Sequence, residues 1–168
     1  MTEKAALRAE IREKIAALSR EKLRESNAAI REKILALPAL RAANRVFTYL
    51  SLDWEVDTRA VIEALLAWGK TVAVPVVRGK GVMTFAGFDG ADMADPNVVL
   101  SPEPSDILLV PALCYDRQNY RLGQGGGYYD RYLAANPGCS IGLCRSVLLQ
   151  DHVPVEAHDI AVDLVITD

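Results

Sequence analysis

Two short stretches of this chain are apolar without alternation: Thr71-Val72-Ala73-Val74-Pro75-Val76-Val77 and, after Asp106, Ile107-Leu108-Leu109-Val110. Successive side chains of a strand point to opposite faces, so a strand with one wet face alternates. A strand without alternation needs cover on both faces, the habit of parallel sheets packed between helices. The rest of the chain supplies that cover. Its helix-period segments alternate with its apolar ones, which predicts a layered α/β fold. The expectation is a Rossmann-like single domain over residues 1–168, with a largely parallel or mixed central sheet and helices on both faces.

Local signals place the elements. Thr2 is positioned to cap a helix over 3–18, whose apolar stripe is Leu7, Ile11, Ile15 and Leu18. Ser19 opens a second helix that buries Leu23, Ile30, Ile34 and Leu37 and ends at Pro38. Arg45 to Leu50 reads as a strand. Thr58 is expected to cap a helix across Val61, Ile62, Leu65 and Leu66, closed by Gly69. Val82 to Phe85 is a short strand, Tyr128 to Ala135 a helix, and Ser140–Cys144 and Leu164–Ile166 late strands. Between Gly87 and Ser105 the chain is acidic and proline-containing; this excursion is expected to border a pocket.

Composition removes several classes of function. A net charge of −3 argues against a large nucleic-acid footprint, which needs a basic face. No apolar run approaches the roughly 18 residues of a membrane span. The charged start Met1-Thr2-Glu3-Lys4 carries no apolar signal core, so a cytoplasmic protein is expected. Cys114, Cys139 and Cys144 lack metal-site spacing and read as free thiols, and His152 and His158 as structural or surface residues.

The chemistry concentrates in Arg121-Leu122-Gly123-Gln124-Gly125-Gly126-Gly127-Tyr128-Tyr129-Asp130-Arg131. Glycine this dense is costly to order and is tolerated where backbone must approach a ligand. Exposed amides beside a cation suit a phosphate. The segment is not a P-loop, because no Lys-Ser or Lys-Thr follows the glycines. It is not a dinucleotide fingerprint either: Gly123 and Gly125 start one, but Tyr128 takes the third place. It follows an apolar strand and precedes a helix, where open α/β sheets bind ligands.

Other segments could serve the same ligand. Lys4, Arg8 and Arg12 recur every fourth residue and share one helix face. Periodicity alone reads them as a solvated row paired with Glu3, Glu10 and Glu13; the alternative is a cationic row leaning over a polyphosphate. Glu55 could accept from ring N–H groups, with Trp54 beside it. Asp130, Asp159 and Asp163 are carboxylates of the kind Mg²⁺ uses with phosphate oxygens.

Together these segments resemble the 5-formyltetrahydrofolate cyclo-ligase family, also called methenyltetrahydrofolate synthetase. The resemblance rests on Val110-Pro111, Tyr115-Asp116 and the long glycine motif. Lys4 with Arg8, Tyr49-Leu50-Ser51 with Glu55, and Val153-Pro154-Val155 with Asp159 and Asp163 fall in the same order and spacing. It implies ATP- and Mg²⁺-dependent conversion of 5-formyltetrahydrofolate to 5,10-methenyltetrahydrofolate. By this resemblance Lys4, Arg8 and Arg121 to Tyr129 (Leu122, Gly123, Gln124, Gly125, Gly126, Gly127 and Tyr128 between them) are the ATP contacts. Leu50, Glu55 and Gln124 to Tyr128 are the folate contacts, and Asp130 and Asp159 hold the metal. Arg121, Tyr128 and Asp130 are the expected catalytic residues, while Arg12 stays a surface residue. The implied partners are the folate and ATP, with no nucleic acid or membrane, and the chain is expected as a monomer or weak homodimer. The competing readings are a phosphosugar isomerase or CoA-transferase-like enzyme, and a non-catalytic nucleotide- or folate-binding module.

Overall fold

The computed structural model describes residues 1–168. Six strands form one sheet in the order β3-β2-β1-β4-β7-β8. They are β1 (Arg45–Phe47), β2 (Thr71–Gly79), β3 (Val82–Gly87), β4 (Ile107–Val110), β7 (Cys139–Leu143) and β8 (Leu164–Ile166). All neighbours run parallel except β3, which returns along β2 as an antiparallel edge. The sheet is therefore mixed but mostly parallel. β4 is buried along its length, as its unalternating sequence required; β2 buries Val72, Ala73 and Val74, but its run emerges beyond them, with Val77 exposed where the strand pairs only with β3.

Helices cover both faces. Ile30 and Ile34 of α2 (Arg20–Ala36), Leu40 of α3 (Pro38–Ala42), and Val61, Ile62 and Leu65 of α4 (Arg59–Ala67) pack on one side with Val46, Val72 and Ile141. Ile11 of α1 (Glu3–Ala16) and Tyr132 of α5 (Tyr128–Ala135) pack on the other, with Phe47, Phe85 and Leu108. In α1 only Ile11 is fully buried, while Leu7 and Ile15 are partly so. Burying one such side chain stabilises by about 2 kcal/mol, so α1 is thinly anchored by apolar contact.

Thr2 and Ser19 cap their helices as expected, Thr2 Oγ1 accepting from Ala5 N at 3.2 Å and Ser19 Oγ from Lys22 N at 3.1 Å. Pro38 follows the end of α2 as expected and also opens α3, where its missing N–H costs nothing at the first helical position. Two local expectations fail. Thr58 does not cap α4, because its hydroxyl donates to Tyr49 O at 2.7 Å and accepts from Ser51 N at 3.1 Å. Asp57 Oδ1 accepts from Arg59 N instead. The first strand stops at Phe47 rather than Leu50, since Tyr49 to Thr58 folds back on itself.

A small hairpin was not read from the sequence. β5 (Cys114–Tyr115) and β6 (Arg121–Leu122) pair antiparallel and deliver Arg121 at the start of the glycine segment. Its turn is set by Asp116, whose Oδ1 accepts from Gln118 N and Tyr120 N, and by Asn119 at a φ of 67°. Aspartate followed three residues later by asparagine is a recognisable turn signal.

Candidate functional site

Strand order reverses at β1: the chain runs outward to β2 and β3, then returns to place β4 on the other side of β1. In open α/β sheets such a switch point leaves a crevice at the carboxyl ends of the strands. A cavity of about 600 Å³ lies there, lined by Tyr49 and Leu50 after β1 and by Pro111 and Ala112 after β4. The glycine segment from Arg121 to Asp130 forms one wall. Lys4 and Arg8 of α1, the Leu52–Glu55 turn, and Glu156, His158 and Asp159 complete the lining.

The cationic row of α1 is not a solvated face. Arg8 Nε donates to Gly123 O at 2.8 Å, and Arg12 Nη2 donates to Gln124 Oε1 at 3.3 Å. Lys4 Nζ bonds Asp159 Oδ2 and lies 3.5 Å from Glu156 Oε2. The row sits one position along from the Leu7, Ile11 and Ile15 stripe, so docking that stripe turns the cations onto the glycine wall. Arg12 is exposed and does not line the cavity, as its expected surface role implies, although it reaches Gln124 of the glycine segment.

Backbone geometry explains the glycines. Gly125 has a φ of 109° and Gly127 a φ of 68°, both in the region that L side chains avoid. Gly127 is the residue before α5, so the left-handed turn opens directly into the helix N-terminus. Gly125 and Gly126 are exposed, with the Arg8 guanidinium 3.7 Å from where a Gly125 Cβ would sit.

Arg121 is the best-buried cation of this wall, its side chain 6% exposed. Nη2 is 2.9 Å from Asp130 Oδ1, but the approach is too bent for a hydrogen bond, so Nε and Nη2 are both unpartnered. A buried guanidinium with two free N–H groups is costly unless a ligand takes them. The hydroxyl of Tyr129 is unpartnered too, and burial holds its phenol far above the usual range.

Another part of the lining carries Glu55. Burial raises its carboxyl pKa above the ordinary 4.5, against the opposing effect of a 2.8 Å hydrogen bond from Leu52 N. No cation pairs with it. Leu50 and Leu52 are exposed beside it at 42% and 55%, an apolar rim suited to a flat ring.

Carboxylates gather at the mouth. Asp130 Oδ1 accepts from Ile160 N at 3.2 Å while facing Arg121. Burial pushes the Asp159 carboxyl up, but the bond from Lys4 and that from Glu156 N outweigh it, leaving its pKa below the ordinary 3.8. Asp159 also groups with Glu156 and His158, their ligand atoms within 4.8 Å of one another. Sequence alone assigns Glu156 no role and marks His158 only as a structural or surface residue, although it stands one residue from Asp159. Asp163 lies elsewhere: its Oδ2 accepts from Ser140 N and Ser140 Oγ, tying β8 to β7. The acidic excursion after Gly87 does not border this cavity either. It folds along β3, with Leu100 bridged to Phe85 and Met93 to Phe88.

All three cysteines are free, and burial pushes Cys114 up to about 12 and Cys144 up to about 11. Such thiols stay protonated and offer no nucleophile. No helix is long and apolar enough to cross a membrane.

The fold and crevice define a layered α/β protein whose cavity is lined by a glycine segment beside cations and by an apolar-rimmed segment around Glu55. The model of the 5-formyltetrahydrofolate cyclo-ligase family matches residues 1–168, and the chain belongs to that family. Its members are ligases, which favours a ligase over a phosphosugar isomerase or CoA-transferase-like enzyme. The 5-formyltetrahydrofolate cyclo-ligase of Escherichia coli K12 is 29% identical over 94% of this chain and 96% of the relative. That of Mycolicibacterium smegmatis is 33% identical over 78% and 77%. Among solved structures, a 5,10-methenyltetrahydrofolate synthetase from Mycoplasma pneumoniae superposes with a TM-score of 0.80 at 28% identity, covering 98% of both chains. One from Aquifex aeolicus gives 0.85 at 28% identity, over 99% of this chain and 90% of that one.

Proposed function

We propose that this chain converts 5-formyltetrahydrofolate to 5,10-methenyltetrahydrofolate, coupled to cleavage of ATP to ADP and phosphate. Beyond family membership, one observation supports the reading most: the two free, buried N–H groups of Arg121 in a wall of glycine amides and cations.

The formyl oxygen of the substrate is amide-like and a poor leaving group. Moving the γ-phosphoryl group onto it breaks the bond to ADP and makes that oxygen part of a good leaving group. N10 then attacks the formyl carbon, the C–O bond breaks, phosphate departs and the N10 proton is lost.

The chain's own residues position the partners and neutralise charge. Lys4, Arg8 and Arg121, with the amides of Gly125 to Gly127, bind the phosphates; Leu122, Gly123, Gln124, Tyr128 and Tyr129 shape that wall. Arg121 stabilises the charge that develops during transfer, as a preorganised donor. Glu55 accepts hydrogen bonds from the substrate's ring N–H groups, and Leu50 packs against its face. Gln124 to Tyr128 border both ligands, which puts Tyr128 near the reacting groups.

Asp130 and Asp159 are hard oxygen donors beside the phosphate wall, the set Mg²⁺ takes up alongside phosphate oxygens. Bound there, the ion would draw negative charge from the phosphates.

The direct test mixes purified protein, 5-formyltetrahydrofolate, Mg²⁺ and ATP and follows the near-ultraviolet absorbance of the methenyl product. Product that requires both ATP and Mg²⁺ is expected. Nucleotide binding without product would leave only a binding module, and equal product without ATP would remove the phosphoryl step.

A further inference from the structure

Arg145 is 2% exposed and makes no ion pair, a rare condition for an arginine. It follows β7, under the turn that carries Glu55. All its hydrogen bonds go to neutral acceptors. Nε donates to Ser26 Oγ at 2.9 Å and Nη2 to Asn27 Oδ1 at 2.8 Å, both on α2. Nη1 donates to Trp54 O at 3.1 Å, and Nη2 also donates to Glu55 O at 3.0 Å. Asn27 Oδ1 accepts in addition from Asp57 N at 3.1 Å. One guanidinium therefore joins α2, the end of β7 and both carbonyls of the Trp54–Glu55 segment.

This arrangement is expensive for stability alone. Burial lowers the Arg145 pKa; no carboxylate hydrogen-bonds the guanidinium, and the charge of Asp168 offsets only part of that cost. A well-packed apolar residue would hold the same corner at lower cost. The planar fork does something an apolar residue would not: it fixes two adjacent carbonyls by direction as well as distance. The Glu55 backbone is held from below by Arg145, while its carboxylate remains in the cavity lining.

We propose that Arg145 is a positioning residue that acts through Glu55, setting where that carboxylate meets the substrate ring. The proposal rests on the folate reading of the Glu55 wall. It separates the two ends of the cavity, because none of Arg145's bonds reaches the glycine segment or α1.

A double-mutant cycle tests it, with Michaelis constants for folate and for ATP measured separately. Arg145→Lys keeps the charge and loses the fork. It should raise KM for 5-formyltetrahydrofolate about tenfold, as loss of hydrogen bonds from a charged group does, with KM for ATP moving less than about twofold. Glu55→Gln should give a similar rise, and the double variant should be no worse than Glu55→Gln alone. Asn27→Ala, at a half-buried helix position, loosens the same turn without emptying the guanidinium site. It should raise the folate KM about threefold even if Arg145→Lys fails to fold. Additive effects, equal rises in both Michaelis constants, or a lowered melting point with an unchanged folate KM would overturn the positioning role. A wild-type protein that makes no methenyl product would overturn the folate reading first, and the proposal with it.

Discussion

The two walls of the cavity handle charge in opposite ways. On the glycine wall and α1, charges come in provisional pairs: Lys4 with Asp159 and Glu156, and Arg121 with Asp130, while Arg8 bonds Gly123 O. On the Glu55 side the carboxylate has no cation at all, and the nearby Arg145 donates only to a hydroxyl, an amide oxygen and two backbone carbonyls. The first wall holds its cations on carboxylates and a backbone carbonyl. The second keeps a half-desolvated acceptor whose pKa is already raised. The difference suits a highly charged ligand at one end and a neutral, ring-shaped donor at the other.

The largest effect should come from breaking the glycine wall at its centre. Arg121→Ala removes the donor whose Nε and Nη2 lack hydrogen-bond acceptors, and a lost transition-state donor costs about 2.7–4 kcal/mol, roughly 10²–10³ in turnover. Absorbance assays should show that loss while circular dichroism stays native. Wild-type turnover would mean the wall serves no transition state. Asp130→Ala should fall in the same direction, since it removes a carboxylate beside Arg121.

Glu55→Gln sharpens the contrast from the other side, because activity and stability should move apart. The carboxyl pKa is raised in the folded chain, so its charged form is disfavoured there. The penalty is absent below the unfolded value of about 4.5 and complete once pH has risen through the folded value. Thermal melts should therefore find Glu55→Gln more stable than wild type at pH 7 and equal to it near pH 4, although its folate KM is worse. A variant less stable at pH 7 would show that the carboxylate is compensated after all.

Asp159 has the opposite sign. Its lowered folded pKa means that the Lys4 link contributes stability above the ordinary 3.8 and loses it as pH falls through the folded value. Asp159→Asn should remove part of the acid limb of a stability profile, measured by melts between about pH 2 and pH 5. The smallest effect expected is on the backbone: Gly127→Ala, at a φ of 68°, should cost about 1–2 kcal/mol of stability and lower the melting point.

The sequence made one half of this contrast far more legible than the other. Unalternating apolar runs and helical stripes specify the layered sheet, because burial on two faces leaves a direct mark on composition. The glycine motif likewise marks one wall of the cavity, since positive-φ turns are a local property, whereas the Lys4/Arg8 spacing alone read as a solvated row and only the family resemblance drew it to that wall. What could not be read locally depends on distant partners. Arg145 looks like any surface arginine until α2 and the Trp54 turn close over it. The bond from Arg8 to Gly123 O has no local mark because the two lie 115 positions apart. Thr58 looked like a cap until its hydroxyl was claimed by Tyr49 O. Asp163 shared its residue type with the cavity carboxylates but is taken up by Ser140.

The central claim is that the phosphate wall acts on the oxygen of a formyl group held by the Glu55 wall. It is tested most directly with substrate carrying ¹⁸O in that formyl group, in one turnover with unlabelled ATP and Mg²⁺. If phosphate leaves with the formyl oxygen, the released phosphate carries one ¹⁸O atom for each methenyl product. Methenyl product accompanied by unlabelled phosphate would contradict the account.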